Sequence, residues 1–272
     1  MKTLRNKVAI VTGASSGIGR VTARFLARRG VRVILAARRA EELAILQREI
    51  ELEKGVALAI PTDITDVNQI IQLEQEVIAT YGRVDMLVNN AGVNCNTLVA
   101  DTPLAEITHL VQVNLLGAML ATRVVLPGML KRRQGSIISI ASVGGSIAVE
   151  PLYSATKFGL RGFSLALRRQ LQGTGITISV ISPGFIRTPM NAYYKLPMPG
   201  PELIARTVVK LATHPCREII VPFSYVVPIW IEQNIPWIID RFTDGLGIKL
   251  PYFSKVTNET RTQLSCKSIS HE

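Results

Sequence analysis

What most constrains this chain is a regular alternation of two patterns. "KVAIVTG" is a short apolar run that stops at a glycine and reads as a buried strand. "GIGRVTARFLARRG" follows with helical spacing and ends at Gly30. The pair then recurs. "VRVILAA" precedes "AEELAILQREIELEKG", which has acids in its first turn and Gly55 after its end. "VALAIPTD" precedes "VNQIIQLEQEVIATYG". "VDMLVNNAG" precedes a long helix that Pro103 opens and that runs to about Leu130. "GSIISIAS" precedes a helix from about Leu152 to Leu171, and "GITISVISPG" one from Pro201 to Thr213. "REIIVP" makes a seventh strand. Such alternation predicts a parallel sheet with helices on both faces. Right-handed crossovers make it an α/β, doubly wound parallel sheet in three layers, with about seven strands.

The 272 residues suit one large domain spanning 1–272, and 47 % apolar residues are enough to bury a core. Within it, 188–217 is expected to form a substrate loop or lid. Residues 223–272 form an apolar C-terminal extension. The start "MKTLRNKVAIVTG" is basic, but its apolar run is only four residues long before Thr12, so it does not read as a signal peptide. Cys95, Cys216 and Cys266 are far apart, and so are His109, His214 and His271. That spacing favours a reducing, cytoplasmic setting and predicts no metal site.

The formal net charge is +11, and residues 1–40 carry ten Lys or Arg and no acid. Nucleic acid, an anionic membrane or an anionic cofactor could each answer such a bias. No nucleic-acid motif accompanies these arginines, and Phe25 is the one aromatic residue among them, so no nucleic-acid partner is expected. Arg20, Arg24 and Arg28 are spaced by four and read as a solvated helix face.

"TGASSGIG", Thr12 to Gly19, lies between the first strand and the first helix. In that place a glycine triplet predicts a dinucleotide-binding Rossmann fold. Gly13 turns tightly, Gly17 lets the backbone approach a pyrophosphate, and Gly19 lets helix and strand pack closely. An acid at the end of the second strand would accept from a ribose 2′-OH. Here Ala36 and Ala37 stand there, followed by Arg38 and Arg39. A guanidinium at that point pairs with a 2′-phosphate, which indicates NADP(H). Surface arginines that merely open a helix are the alternative.

Six motifs in order then resemble the short-chain dehydrogenases/reductases, over roughly residues 5 to 222. They are "TGASSGIG", "NNAG" at 89–92, Asn114, Ser142, "YSATK" at 153–157 and "PGFIRT" at 183–188. The resemblance implies a cofactor site made by Gly13, Ser15, Ser16, Gly17, Ile18 and Gly19. Arg38, Arg39, Asp63, Ile64, Asn90, Ala91 and Gly92 would join it, with Tyr153, Lys157, Pro183, Gly184, Ile186 and Thr188. Asp63 would contact the adenine ring. Asn89 to Gly92 would line the adenosine ribose and support the central sheet. Ser142, Tyr153 and Lys157 would be catalytic, and Asn114 would hold a water that relays protons to the lysine. The step from Ser142 to Tyr153 is eleven residues, a little shorter than is common in the family, so Ser139 and Ser146 stay as alternatives. The family also implies a homodimer or homotetramer through the helices at 103–130 and 152–171.

The chemistry fits those residue types. Reducing a carbonyl needs a hydride on carbon, which the cofactor carries, and a proton on oxygen. Tyrosine, with a reference pKa of about 10, is a poor base near neutrality. An ammonium one helical turn away stabilises its phenolate. Ser142 can donate to the substrate oxygen. The expected function is an oxidoreductase acting on an alcohol or carbonyl. A catalytically silent dinucleotide sensor or scaffold is the alternative, and an epimerase of the longer related branch is disfavoured by the glycine spacing. Met190, Tyr193, Tyr194, Leu196 and Met198 indicate an apolar, adaptable pocket for a hydrophobic small molecule.

The run "IIVPFSYVVPIWI", Ile219 to Ile231, carries no charge but is thirteen residues long, too short to span a bilayer. Pro222 and Pro228 are expected to interrupt any helix within it. The segment is expected to cap the pocket or pack between subunits. A peripheral membrane contact is its other use, through Trp230, Trp237, Phe242, Tyr252 and Phe253 with Arg241, Lys249 and Lys255.

Overall fold

The computed structural model describes residues 3–95, 97–148, 150–192 and 197–245. Its seven strands are β1 Val8–Thr12, β2 Arg32–Ala37, β3 Val56–Pro61, β4 Met86–Asn89, β5 Gly135–Ile140, β6 Ile176–Pro183 and β7 Glu218–Val221. They form one parallel sheet in the order β3-β2-β1-β4-β5-β6-β7. The order reverses between β1 and β4, where Ile10 pairs with Ile34 on one side and Leu87 on the other. A doubly wound sheet opens a crevice at that switch point.

The central strands are buried throughout, and their residues still sort by parity. Ala9, Val11, Val33 and Leu35 pack into one apolar cluster, with α1 (Gly17–Ala27), α2 (Ala40–Leu52) and α7 (Glu202–Thr213). Val8, Ile10, Ile34 and Ala36 face the other. There they meet α3 (Val67–Tyr81), α5 (Gly117–Arg132) and α6 (Pro151–Gln170). Burying a leucine such as Leu35 contributes roughly 2 kcal/mol. Helix ends follow local chemistry. Asp66 caps α3 by accepting from Asn68 N–H at 2.8 Å, and Gly82 ends it in the left-handed region.

The helix expected from Pro103 to about Leu130 is a continuous rod with an insertion. α4 (Leu104–Val111) passes through one turn of π-helix, Gln112–Leu116, into α5. The rod is long and apolar enough to cross a membrane by length and composition. Its Leu110, Val113, Ala121, Val125 and Met129 are instead buried in the protein.

Two sequence expectations are corrected. Arg20, Arg24 and Arg28 do not form a merely solvated face. Arg20 reaches Glu49 at 2.7 Å, Arg28 reaches Glu53 at 2.8 Å, and Arg24 also pairs with Glu53. These contacts clasp α1 to α2. Hydrogen bonds from Arg28 and Arg24 hold the Glu53 carboxyl down to about 2. Nor does Pro228 interrupt a helix. A short 3₁₀ turn, Phe223–Tyr225, leads into α8 (Val226–Asn234), and Pro228 lies in the first turn of α8. Proline costs little there, because first-turn N–H groups have no intrahelical partner.

The uncharged run 219–231 is thus divided among a strand, a turn and a helix. α9 (Pro236–Gly245) packs against α8. Phe223, Val227, Trp230 and Trp237 stand exposed, while Ile229 is buried. The side chain of Phe242, and Lys249, Tyr252, Phe253 and Lys255, lie outside the described residues, as do Tyr193, Tyr194 and Leu196. The expected substrate segment 188–217 divides in two. Thr188 to Asn191 lie on a cavity, whereas α7 is a core helix with Ile204, Val208 and Leu211 buried.

Candidate active site

A cavity of about 680 Å³ opens where the carboxyl ends of β1, β2, β4, β5 and β6 meet. One end is built largely from backbone. Gly13 and Gly17 both take positive φ, at 66° and 54°. A Cβ on Gly13 would lie 2.9 Å from Ala91 Cα. Asn90 holds this loop, its amide donating to Thr12 O at 2.8 Å and to Gly13 O at 3.3 Å. Thr12 Oγ accepts from the N–H groups of Asn90 and Ala91, which ties β1 to β4. Ser16 stands at the α1 N-cap with extended backbone and makes no side-chain bond to the helix. The α1 N-terminus therefore opens on the cavity uncapped, at Ser16, Gly17 and Ile18. Free N–H groups and a positive dipole end suit a pyrophosphate. Gly19 is not on the wall. A Cβ there would collide with Gly13 O, so its part is close packing of helix on loop.

At the end of β2, Ala37, Arg38 and Arg39 line the cavity, and no carboxylate occupies the strand end. Arg39 donates twice to Ser15 Oγ, at 3.2 and 3.0 Å, so it reaches into the glycine loop. Asp63 and Ile64 lie opposite. Burial works to raise the Asp63 pKa. Hydrogen bonds from the Thr65 N–H and hydroxyl, with Arg38 and His109 nearby, outweigh it and hold the carboxyl below its ordinary value.

The other end carries reactive side chains. α6 places Tyr153 and Lys157 on one face, as spacing by four requires. The ammonium lies 5.6 Å from the centroid of the Tyr153 ring. Lys157 is only 4 % exposed and donates to Ile140 O at 3.1 Å. Among the described residues no carboxylate pairs with it, and burial pulls its pKa down to about 8.

Ser142, just past β5, lines the cavity. Its Oγ accepts from Gly144 N–H at 3.0 Å, which leaves its own proton to donate. A Cβ on Gly144 would lie 3.3 Å from Ser142 Oγ and 3.5 Å from Tyr153 Cε1, so the two groups flank one glycine. The alternatives face elsewhere: Ser139 takes a bond from Ser164 inside the core, and Ser146 is buried off the cavity.

Asn114 sits in the π turn and is fully buried rather than on the cavity wall. Its amide donates to Val93 O and Thr156 Oγ, and its oxygen accepts from Val93 N–H. That oxygen and Lys157 Nζ would each lie 3.4 Å from a Cβ on Gly92. The side chain is thus a brace beside the lysine with one acceptor lone pair to spare. Asn89 is also off the cavity, bonded to Thr122, while Asn90, Ala91 and Gly92 line it.

Pro183, Gly184, Ile186 and Thr188 line the far wall with Phe185 and Met190. Phe185 lies inside the quoted motif and could have been picked out there. Tyr225 and Ile239 also line the cavity; the sequence marked the run 219–231 as a pocket cap but singled out neither residue.

The model for the short chain dehydrogenase family matches residues 7–197. The ketoacyl reductase HetN of Nostoc sp. is 37 % identical over 263 residues, covering 91 % of this chain and 92 % of that protein. The 3-oxoacyl-[acyl-carrier-protein] reductase FabG of Thermotoga maritima is 36 % identical, over 71 % of this chain and 79 % of its own. A solved structure of an actinorhodin polyketide ketoreductase with NADPH superposes with a TM-score of 0.75 at 33 % identity, covering 81 % of this chain and 97 % of that one. Site, fold and relatives agree: this chain belongs to the short-chain dehydrogenase/reductase family and is an oxidoreductase on a Rossmann-type nucleotide-binding fold.

Proposed function

We propose that this protein is an NADP(H)-dependent carbonyl reductase for hydrophobic substrates. The observation that carries the reading is the convergence of Tyr153, Lys157 and Ser142 on the cavity that also takes in the uncapped α1 N-terminus and Arg38. The bound cofactor supplies the hydride. Arg38, and Arg39 through its reach over Ser15, would hold a 2′-phosphate, and the α1 N-terminus the pyrophosphate.

The chain's own groups then handle the oxygen. Ser142 donates to the substrate carbonyl and fixes its direction. Tyr153 gives its phenolic proton to the same oxygen as it gains charge. Lys157 stabilises the phenolate left behind. A buried ammonium acts strongly there, because little water screens it. Asn114 keeps the Lys157 surroundings fixed. Relatives named as ketoacyl and 3-oxoacyl reductases make 3-ketoacyl thioesters the first substrates to try. The wall of Ile147, Phe185, Ile186 and Met190 favours an apolar acyl chain. Assembly into a homodimer or homotetramer fits the exposed apolar residues Leu104, Val111, Leu116 and Phe158 on α4, the π turn and α6.

The test is a panel of 3-ketoacyl thioesters and hydrophobic ketones assayed with NADPH and with NADH. Turnover with NADPH at about tenfold or greater preference is expected. Equal use of NADH removes the cofactor assignment, and no turnover of any carbonyl removes the reading.

A further inference from the structure

Tyr225 lies forty-one positions beyond Gly184 in the chain and directly upon it in the fold. β7 pairs with β6 so that Pro183 faces Val221, and Gly184 N–H donates to Val221 O at 2.8 Å. The turn Phe223–Tyr225 therefore starts beside the carboxyl end of β6. Tyr225 N–H donates back to Pro222 O at 3.3 Å, which curls the turn over that strand end. A Cβ on Gly184 would overlap Tyr225 Cε2 and lie 2.6 Å from Cζ and 2.7 Å from Cδ2. Gly184 has no positive φ. Its need for a bare Cα comes from the ring that rests on it.

The C-terminal unit has two faces here. Tyr225 and Ile229 are four apart, one on the cavity and one buried. Phe223, Val227 and Trp230 follow helical spacing on the exposed side. Ile239 of α9 joins Tyr225 on the cavity. Among the described residues these are the two beyond Pro222 that line it. They share it with Tyr153, Ser142, Phe185 and Met190.

We propose that Tyr225, seated on Gly184 and backed by Ile239, is a specificity-determining residue whose ring forms the acceptor-side wall and selects carbonyl substrates with an extended apolar group. The inference rests on the reductase reading above. A ring face offers a large, rigid apolar surface with two rotatable bonds, so it recognises shape at low entropic cost. Because it touches the apolar part of the acceptor and not the reacting carbon, its contribution is equal in ground and transition states. Such a contact shows in KM and spares kcat.

The experiment measures kcat and KM of Tyr225→Ala, Tyr225→Phe and Ile239→Ala over 3-ketoacyl thioesters of increasing chain length, with NADPH affinity titrated separately. Tyr225→Ala should raise KM by about 10- to 100-fold for the longest acceptors and progressively less for shorter ones. Tyr225→Phe keeps the ring and should stay within about threefold of the parent. NADPH affinity should move by less than about twofold. A double-mutant cycle fixes the contact itself. Gly184→Ala should cost more than about tenfold in kcat/KM beside Tyr225, and at least about threefold less than that in the Tyr225→Ala background.

An equal loss for all chain lengths overturns the selection role, as does a Tyr225→Phe defect matching that of Tyr225→Ala. Additive Gly184 and Tyr225 effects overturn the contact. If the parent protein reduces no acceptor, the reductase reading has failed instead, and the NADPH titration still reports whether the cofactor end is intact.

Discussion

The two ends of the cavity are built in different ways. The cofactor end is made of strand ends, glycines and a helix N-terminus, held by bonds between near neighbours in the sheet such as Asn90 to Thr12. The acceptor end is made of side chains from α6, the segment after β6, a turn after β7 and α9. The first end offers backbone geometry suited to a constant group, with Asn90 bracing the loop and Arg38 and Arg39 lining it. The second, on the proposed reading, would meet a variable group with side chains brought from far apart. On the proposed reading, chemistry would sit on the seam between them, where Lys157 donates to the Ile140 carbonyl of the sheet and Tyr153 lines the cavity.

The sharpest break in that division comes from Tyr153→Phe. The change removes one transferable proton and almost no volume. Turnover should fall by about 10³-fold or more, while NADPH binding and thermal stability stay near the parent's. If the variant keeps a tenth of the activity, the acceptor end carries its proton on another group and the seam is misplaced.

Lys157 allows a second test, through stability. Its native pKa is pulled down to about 8 by burial, against 10.5 for the free side chain. Below pH 8 the native protein bears the full cost of the buried charge. Between the two values the unfolded chain binds more protons than the native one, so stability rises with pH across that window. The gain is on the order of 2–3 kcal/mol over the whole window. Lys157→Met abolishes that gain. Urea unfolding of both proteins at about pH 7.5 and about pH 9.5 measures it, and parallel pH dependence in the two would contradict the buried charge.

At the cofactor end, Ala37→Asp with Arg38→Ala should shift preference from NADPH towards NADH by about 10- to 100-fold. Acceptor KM values should hardly move. A change in acceptor selectivity of the same size would mean that the two ends are not separable.

The sheet and the cofactor end were legible because their signals are local. Strand and helix periods, the glycine triplet and "YSATK" each lie within about a dozen residues, and β-strand pairing then needs only the crossover rule. The π turn at Gln112–Leu116 was not legible, since its residues share one apolar helical pattern with α4 and α5. Asn114 was therefore read only as a group serving the lysine, and its buried place behind Gly92 came from the structure alone. The clasp of α1 to α2 was missed because Arg20 and Glu49 are twenty-nine positions apart. Tyr225 was legible only as part of the run 219–231 expected to cap the pocket, and its seat was missed for the same reason. Pairing of β7 with β6 brings it onto Gly184, and no period or motif records that.

The smallest effect is expected at Trp230, on the outward face of α8, and is measured against its inward face. Ile229 is 5 % exposed and packs inward, whereas Trp230, its neighbour in sequence, is 56 % exposed. Ile229→Ala should cost about 2–4 kcal/mol and loosen the turn that seats Tyr225. Trp230→Gln leaves a surface position and should change unfolding stability of the monomer by less than about 0.5 kcal/mol. It should leave acceptor KM values where they were, since Trp230 does not line the cavity. Matched urea titrations and steady-state kinetics on the two variants make the comparison. A Trp230 effect as large as that of Ile229 would mean that the outward face of α8 is covered in solution, and subunit mass from light scattering would then show whether a second copy covers it.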